Sequence, residues 1–192
     1  MRLAPALMLL LWAGAACAQE VATVTEELPP DYPPKMGEIS GTLGKKAVAW
    51  EFFDFSVGAF DASAWVDEDY DSKQVRLHLG GYAPGQPENK SFRLQASGNF
   101  GTVFQAGSAE APLVEVLRGK DSEGPKLTSA GQRAEIVVES IGPQPEDSYS
   151  RRVTGRIEAR LCPQAWLFKK CQDISLRFDT GVQMGSVVKV KE

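Results

Sequence analysis

The stretch Val153–Thr180 reads VTGRIEARLCPQAWLFKKCQDISLRFDT and decides the fold. It contains two runs in which every second residue is small or apolar, joined by a short loop. These positions are Val153, Gly155, Ile157, Ala159 and Leu161 in the first run and Ile174, Leu176 and Phe178 in the second. Strict alternation is typical of half-buried strands. The stretch therefore predicts an antiparallel β-hairpin.

Each run also carries one cysteine on its polar side. Cys162 shares a face with Arg156 and Arg160, and Cys171 shares one with Asp173. The two thiols can face each other across an antiparallel pair, so we predict a disulfide at the mouth of the hairpin. The spacing is not C-x-x-C, which indicates a structural bond and not a redox motif.

The N-terminus supports an oxidising destination. Residues 1–18 contain Arg2, an apolar run from Leu7 to Trp12, and the small-residue ending Ala16-Cys17-Ala18. This pattern predicts a secretory signal peptide. Cleavage after residue 18 leaves two cysteines, an even count suited to a disulfide in the periplasm or outside the cell.

A lipid anchor at Cys17 is the rival processing route. Gly14 stands where lipoprotein signals have a large aliphatic residue, so the sequence favours the soluble, bacterial-type exported form. Residues 19–36 follow as a Pro-rich linker with Pro29-Pro30 and Pro33-Pro34, since paired prolines adopt extended geometry and do not join a sheet interior.

Composition predicts one folded domain over residues 37–192. The chain has 192 residues and a formal net charge of -4, with no basic block. An acidic chain of this kind is a poor nucleic-acid binder. After the leader, no apolar stretch approaches the length that a transmembrane helix needs.

The fold class follows from the spacing of short alternating runs. About ten of them are separated by loops rich in Gly and Pro, and no helical period is present. We predict an all-β protein, with an antiparallel two-sheet β-sandwich first and a closed, calycin-like β-barrel second. A lipocalin-like carrier has a Gly-x-Trp signature on its first strand, whereas here Val48-Ala49 precede Trp50.

The apolar phase changes within the run Ala47–Phe55. Trp50 and Phe52 share one face, while Phe53 and Phe55 share the other. Either a one-residue β-bulge at Phe52-Phe53 returns all of them to the core, or the strand is buried on both faces.

Enzyme signatures are absent from the sequence. His78 is the only histidine and alternation places it on an outer face, as it does Trp65, which suits either a binding face or packing at a sheet edge. The nearest match to a nucleophile elbow, Asp54–Gly58, lacks the first glycine. We expect no catalytic residue and no cofactor, and keep a hydrolase using carboxylates such as Glu51 as a third class of function.

A metal site is also not predicted. Asp67, Asp69 and Asp71 resemble the start of a calcium loop, but Ser72 replaces the glycine and His78 replaces the final glutamate that such a loop requires. A solvated hairpin turn is the simpler interpretation.

Two features of the hairpin are candidate binding sites. Its tip carries Trp166, Leu167 and Phe168 followed by Lys169 and Lys170. Large apolar side chains beside lysines can engage an envelope protein or an anionic envelope component. The alternative is that the three apolar residues close one end of the core.

The second feature is an arginine stripe on the polar face. Arg156 and Arg160, with Arg152 and Arg177 nearby, can hold carboxylates, sulfates or phosphates. Acidic residues lie among them at Glu158, Asp173 and Asp179, and these can form cross-strand ion pairs. The sequence thus predicts a non-enzymatic binding or interaction module; the alternative is a carrier of a small apolar ligand or lipid in a barrel cavity.

Overall fold

The computed structural model describes residues 32–56, 62–89, 91–119, 126–146, 148–164 and 170–191. Within these ranges the regular structure is entirely β, which confirms the predicted all-β class. The strands are β1 (Lys35–Leu43), β2 (Lys46–Phe53), β3 (Ala64–Glu68), β4 (Val75–Gly81), β5 (Phe92–Asn99), β6 (Gly107–Ser108), β7 (Glu110–Arg118), β8 (Lys126–Thr128), β9 (Ala134–Ile141), β10 (Ser150–Pro163) and β11 (Gln172–Met184). Over the same ranges, no helix has the length and hydrophobicity needed to cross a bilayer.

All eleven strands belong to one hydrogen-bonded sheet. Its order is β2-β1-β11-β3-β4-β5-β7-β8-β10-β9-β6, and an additional pairing joins β11 to β10. The pairings therefore close a ring through β11, β3, β4, β5, β7, β8 and β10. We call β2-β1-β11-β10-β9-β6 the hairpin section and β3-β4-β5-β7-β8 the meander section.

The predicted hairpin is formed by β10 and β11, the two longest strands. Their register pairs Val153 with Thr180 and Leu161 with Gln172, so the next pair along the chain is Cys162 and Cys171. These two cysteines form the predicted disulfide. Cys162 also pairs with Thr128 of β8, which places the disulfide where β10 passes from one section of the sheet to the other.

The two predicted sheets are not separate. The end of β11 pairs in parallel with β3 through Gln183 and Met184, while the end of β10 pairs with β8. Strand β10 has 14 residues and is longer than its neighbour β9, and β11 has 13 residues and is longer than its neighbour β1. The end of each hairpin strand therefore has backbone groups that can pair with another strand. Continuous hydrogen bonding is the result, because a buried strand end must satisfy its backbone groups.

The alternating side chains of both sections meet in one core. Every apolar position named in the hairpin runs is buried, including Val153, Ile157, Ile174 and Phe178. The largest side chains with almost no exposure are Trp50, Phe52 and Phe104. Alternation of apolar and polar residues therefore predicted the buried positions of the hairpin correctly, because each of its strands has one face toward the core.

The change in apolar alternation along β2 coincides with an extra residue in the neighbouring strand β1. The register shift lies between Lys35 and Gly37, so the extra residue is Met36 on β1, opposite Phe52 and Phe53. Because β2 itself stays regular, Phe52 enters the core while Phe53 is buried on the other face. The predicted bulge within β2 is therefore wrong, and burial on both faces applies to the end of this strand.

Candidate functional site

The predicted hairpin tip lies largely outside the described residues. Trp166, Leu167, Phe168 and Lys169 fall in the range 165–169, and Lys170 is described as exposed. The docking role of the tip stays a prediction.

The predicted arginine stripe is matched by carboxylates. Arg156 lies 3.5 Å from Glu135 and 3.7 Å from Glu139, and Arg160 lies 3.4 Å from Asp173. The nearby stripe residues Arg152 and Arg177 pair with Asp179 and Glu139. Exposed pairs of this kind contribute little to stability. They do leave the stripe close to electrical neutrality, and its role in anion binding stays a prediction.

A cavity lies elsewhere, on the outer face of the meander section. The strand register sets two rows of neighbouring side chains across that face, Trp65-His78-Ser97-Leu113 and Ser63-Gly80-Gln95-Glu115. Tyr82 and Arg93 extend the face beyond Gly80, and Phe55 arrives from the segment after β2. Together they line a partly open cavity of about 360 Å³, which we call the Trp65 cavity. This volume is in the range of small-molecule sites.

One wall of the Trp65 cavity is a stacked pair of rings. Trp65 and His78 are cross-strand partners, and their rings are parallel to within 4° at a centroid distance of 4.6 Å. Trp65 is 37% exposed, so part of its indole remains open to solvent. A large, partly open aromatic ring held in one orientation is a common feature of binding sites.

The opposite wall is an aromatic cluster outside the main core. Tyr82 packs edge-on against Phe53 at 6.2 Å and against Phe55 at 5.3 Å. Glu51 and Tyr82 exchange backbone hydrogen bonds of 2.9 Å, which hold the tyrosine beside the end of β2. The Tyr32 hydroxyl donates to the Phe55 carbonyl. Phe53 and Phe55 thus pack with Tyr82 outside the main core.

Two charged side chains line the cavity, and they differ in whether an oppositely charged group lies beside them. Arg93 places its guanidinium 4.4 Å from the centre of the Tyr82 ring, and its Nε is buried without a hydrogen-bond partner. Glu115 is 9% exposed and accepts hydrogen bonds from Lys126 at 2.7 Å and from the Thr128 hydroxyl at 2.9 Å. The carboxylate is thus neutralised locally, whereas no carboxylate of the described residues lies within 4 Å of the guanidinium.

The lowered pKa of His78 favours its neutral form at pH 7. Burial lowers the pKa of its imidazole below 6.5, and the charge of Arg76 acts in the same direction, against the opposing effect of Asp67. The Nε2 atom lies 3.4 Å from the Asp67 carboxylate. A neutral ring suits the stack with Trp65, because charging it would require water that the stack excludes.

The cavity contains no nucleophile–base pair. The Ser97 hydroxyl accepts a hydrogen bond of 2.9 Å from Arg76, and among the described residues no hydrogen bond joins it to His78. In the predicted turn Asp69 accepts from Ser72, and nowhere in the described ranges do three His, Cys, Asp or Glu side chains converge as metal ligands.

The absence of a side chain at Gly80 opens the floor. An added Cβ there would lie 3.1 Å from the Ser63 carbonyl oxygen and 3.7 Å from Arg93 Nη2. The cavity thus reaches the sheet backbone between Trp65 and Tyr82. Sequence analysis placed Trp65 and His78 outward but did not bring them together, and it did not identify Tyr82 or Arg93. The sequence did contain one indication, because alternation places the side chains of Trp65 and His78 on the outer face of neighbouring strands.

Comparison with known proteins adds no identity to this geometry. No protein-family model, no curated protein and no solved structure matches the chain.

Proposed function

We propose that this protein is a non-enzymatic binding module of the bacterial periplasm or extracellular space, and that it binds a small ligand in the Trp65 cavity. The observation that carries the proposal is the convergence of three aromatic side chains, Phe55, Trp65 and Tyr82, with Arg93 around 360 Å³ of space. An outward sheet face is ordinarily solvated, and a partly open concave space lined by aromatic side chains with a few polar groups is what small-molecule sites share.

The proposed location rests on the disulfide. The bond between Cys162 and Cys171 closes the hairpin that links both sections of the sheet. Structural disulfides persist in oxidising compartments and are rare in the cytosol. The leader predicted over residues 1–18 supports the same compartment.

The finer architecture we propose is a two-layer sandwich with shared corners. The hairpin section and the meander section form the layers, and β10 and β11 pass from one to the other, as strands do in orthogonal packings. Trp50, Phe52 and Phe104 fill the space between them. Side chains of this size in the interior favour a packed sandwich over the barrel cavity that a lipid carrier requires.

A fragment screen tests the proposed binding site. The full chain, exported during expression so that the disulfide forms, is titrated with a library of small aromatic and polar compounds by two-dimensional ¹H–¹⁵N NMR. We expect hits that shift the Trp65 indole N–H and the Gly80 amide resonances, and loss of those hits in Trp65→Ala.

The matched control is Tyr70→Ala, which removes an 85% exposed aromatic ring at the nearby β3–β4 turn. This variant should bind the same fragments as the unaltered protein. A library that gives no hits at these resonances, or hits that survive Trp65→Ala, would refute the proposal.

A further inference from the structure

We propose that the ligand of the Trp65 cavity is a small molecule with a flat apolar body and one negative charge, and that Arg93 binds its anionic group. This inference rests on the proposed function, because it assigns a chemical class to the occupant of the same cavity.

Arg93 differs from the arginines of the hairpin stripe. Arg152, Arg156 and Arg160 each lie within 4 Å of a carboxylate. Among the described residues, Arg93 has no carboxylate at that distance and no hydrogen bond; its interaction is with the Tyr82 ring. An arginine has five N–H donors and remains charged at all accessible pH values. A half-buried guanidinium in this state lacks an acceptor that a ligand can supply.

The position of Arg93 directs those donors into the cavity. The guanidinium carbon lies 4.4 Å from the centre of the Tyr82 ring, a contact with the π face of the tyrosine that offers the N–H groups no acceptor oxygen or nitrogen. Arg93 Nη2 lies beside the open position at Gly80, 3.7 Å from where a Cβ would be. The guanidinium edge therefore reaches the cavity floor, where a planar anion can accept two parallel hydrogen bonds.

The second charge in the lining limits the ligand to one negative charge. Glu115 also lines the cavity, and its carboxylate is paired with Lys126 at 2.7 Å. One uncompensated cation remains, that of Arg93. A dianion would leave its second charge facing Glu115 across a partly dehydrated space, where like charges repel strongly.

The walls define the body of the ligand. Trp65 and His78 present flat parallel rings on one side, and Phe55 and Tyr82 present rings on the other. Aromatic rings pack favourably in offset stacks or edge to face. A planar apolar group between these walls places an attached carboxylate toward Arg93.

Three compounds that share one bicyclic ring test the inference. They are 2-naphthamide, 2-naphthoate and naphthalene-2,3-dicarboxylate, with charges of 0, -1 and -2. Each is titrated into the full exported chain at pH 7.5, with the Trp65 indole N–H resonance as the reporter. We expect the naphthoate to bind at least about tenfold more tightly than the amide, as one charge-assisted hydrogen-bonded contact allows, and more tightly than the dicarboxylate.

Arg93→Met should abolish this preference, so that naphthoate and amide bind with equal affinity, and an unchanged Trp65 indole N–H resonance in the free variant checks that the cavity is intact. The matched control is Arg177→Met, which makes the same change in net charge at a 75% exposed side chain and should keep the preference. Equal binding of naphthoate and amide, a preference that survives Arg93→Met, or tighter binding of the dicarboxylate overturns the inference and leaves the proposed function standing. If no compound shifts the Trp65 resonance, both the inference and the proposed site are refuted.

Discussion

Replacing Gly155 by alanine should break the junction on which the hairpin section depends. Gly155 lies in the middle of β10, opposite Phe178 of β11, and the register with β9 shifts at this point. A Cβ at this position would lie 2.1 Å from the Val137 carbonyl oxygen and 2.4 Å from the Phe178 ring. One of these contacts is with backbone, so a change of side-chain rotamer cannot relieve it.

The size of the effect follows from the required movement. A carbon and a carbonyl oxygen approach to about 3.3 Å in ordinary contact, so β9 would have to move by more than about 1 Å from β10. Overpacking a core costs about 1–3 kcal/mol, and each ladder hydrogen bond lost costs about 1 kcal/mol more. With one or two ladder hydrogen bonds lost, we therefore expect Gly155→Ala to lower the free energy of unfolding by about 2–5 kcal/mol.

Urea unfolding of the oxidised protein, followed by far-UV circular dichroism, measures this loss. The matched control is Gly181→Ala on β11, where the nearest atom to an added Cβ is the flexible end of Met36 at 3.4 Å. Its free energy of unfolding should change by about 0.5 kcal/mol or less, as surface substitutions do. Adding Phe178→Leu to Gly155→Ala should not restore stability, because the Val137 carbonyl remains.

Two outcomes would refute the reasoning. If Gly155→Ala and Gly181→Ala unfold at the same urea concentration, the close approach of β9 is not as described. If Phe178→Leu rescues Gly155→Ala, the aromatic ring and not the backbone sets the limit.

Three further predictions concern the disulfide, the stacked histidine and the cavity floor. Changing both Cys162 and Cys171 to alanine opens a loop with a sequence separation of 9 and should cost about 2.6 kcal/mol in the chain-entropy view, measured by urea unfolding against the oxidised protein. Because burial lowers the pKa of His78 below 6.5, the unfolded chain binds the proton first, so stability should fall as pH drops below about 6.5 toward the lower pKa of the folded state; melting temperatures should show a weaker fall in His78→Gln. Gly80→Ala should keep the fold but weaken naphthoate binding, seen by NMR titration, since its Cβ enters the floor beside Arg93; unchanged binding would contradict the described floor.

The hairpin could be predicted in detail because its information is local. Alternation fixes which side of each strand faces the core, and the two cysteines fix the register once the loop is known to be short. The pairing of Leu161 with Gln172 then follows. The arrangement of the sheet could not be read the same way, because it depends on how far β10 and β11 extend beyond their neighbours.

The cavity could not be predicted from the sequence, for a different reason. Trp65, His78, Arg93 and Glu115 come from four strands, and their outward parity says nothing about the register that places them together. Phe55 lines the cavity two residues after Phe53, whose side chain is buried outside the main core. The sequence showed that these two aromatic residues share a face, but it did not show what that face packs against.

The adjacent glycines of β4 show how the site and the core are kept apart. Gly81 faces inward, where a Cβ would lie 2.7 Å from Trp50 Cβ, so its lack of a side chain admits the largest residue of the core. Gly80 faces outward and leaves the cavity floor open beside Arg93. Because side chains of consecutive strand residues point to opposite faces, packing depends on one glycine and ligand space on the other. A substitution at Gly80 would therefore press on the Ser63 carbonyl and fill the cavity floor, whereas a substitution at Gly81 would collide with Trp50 in the core, so the two glycines serve different faces of the sheet.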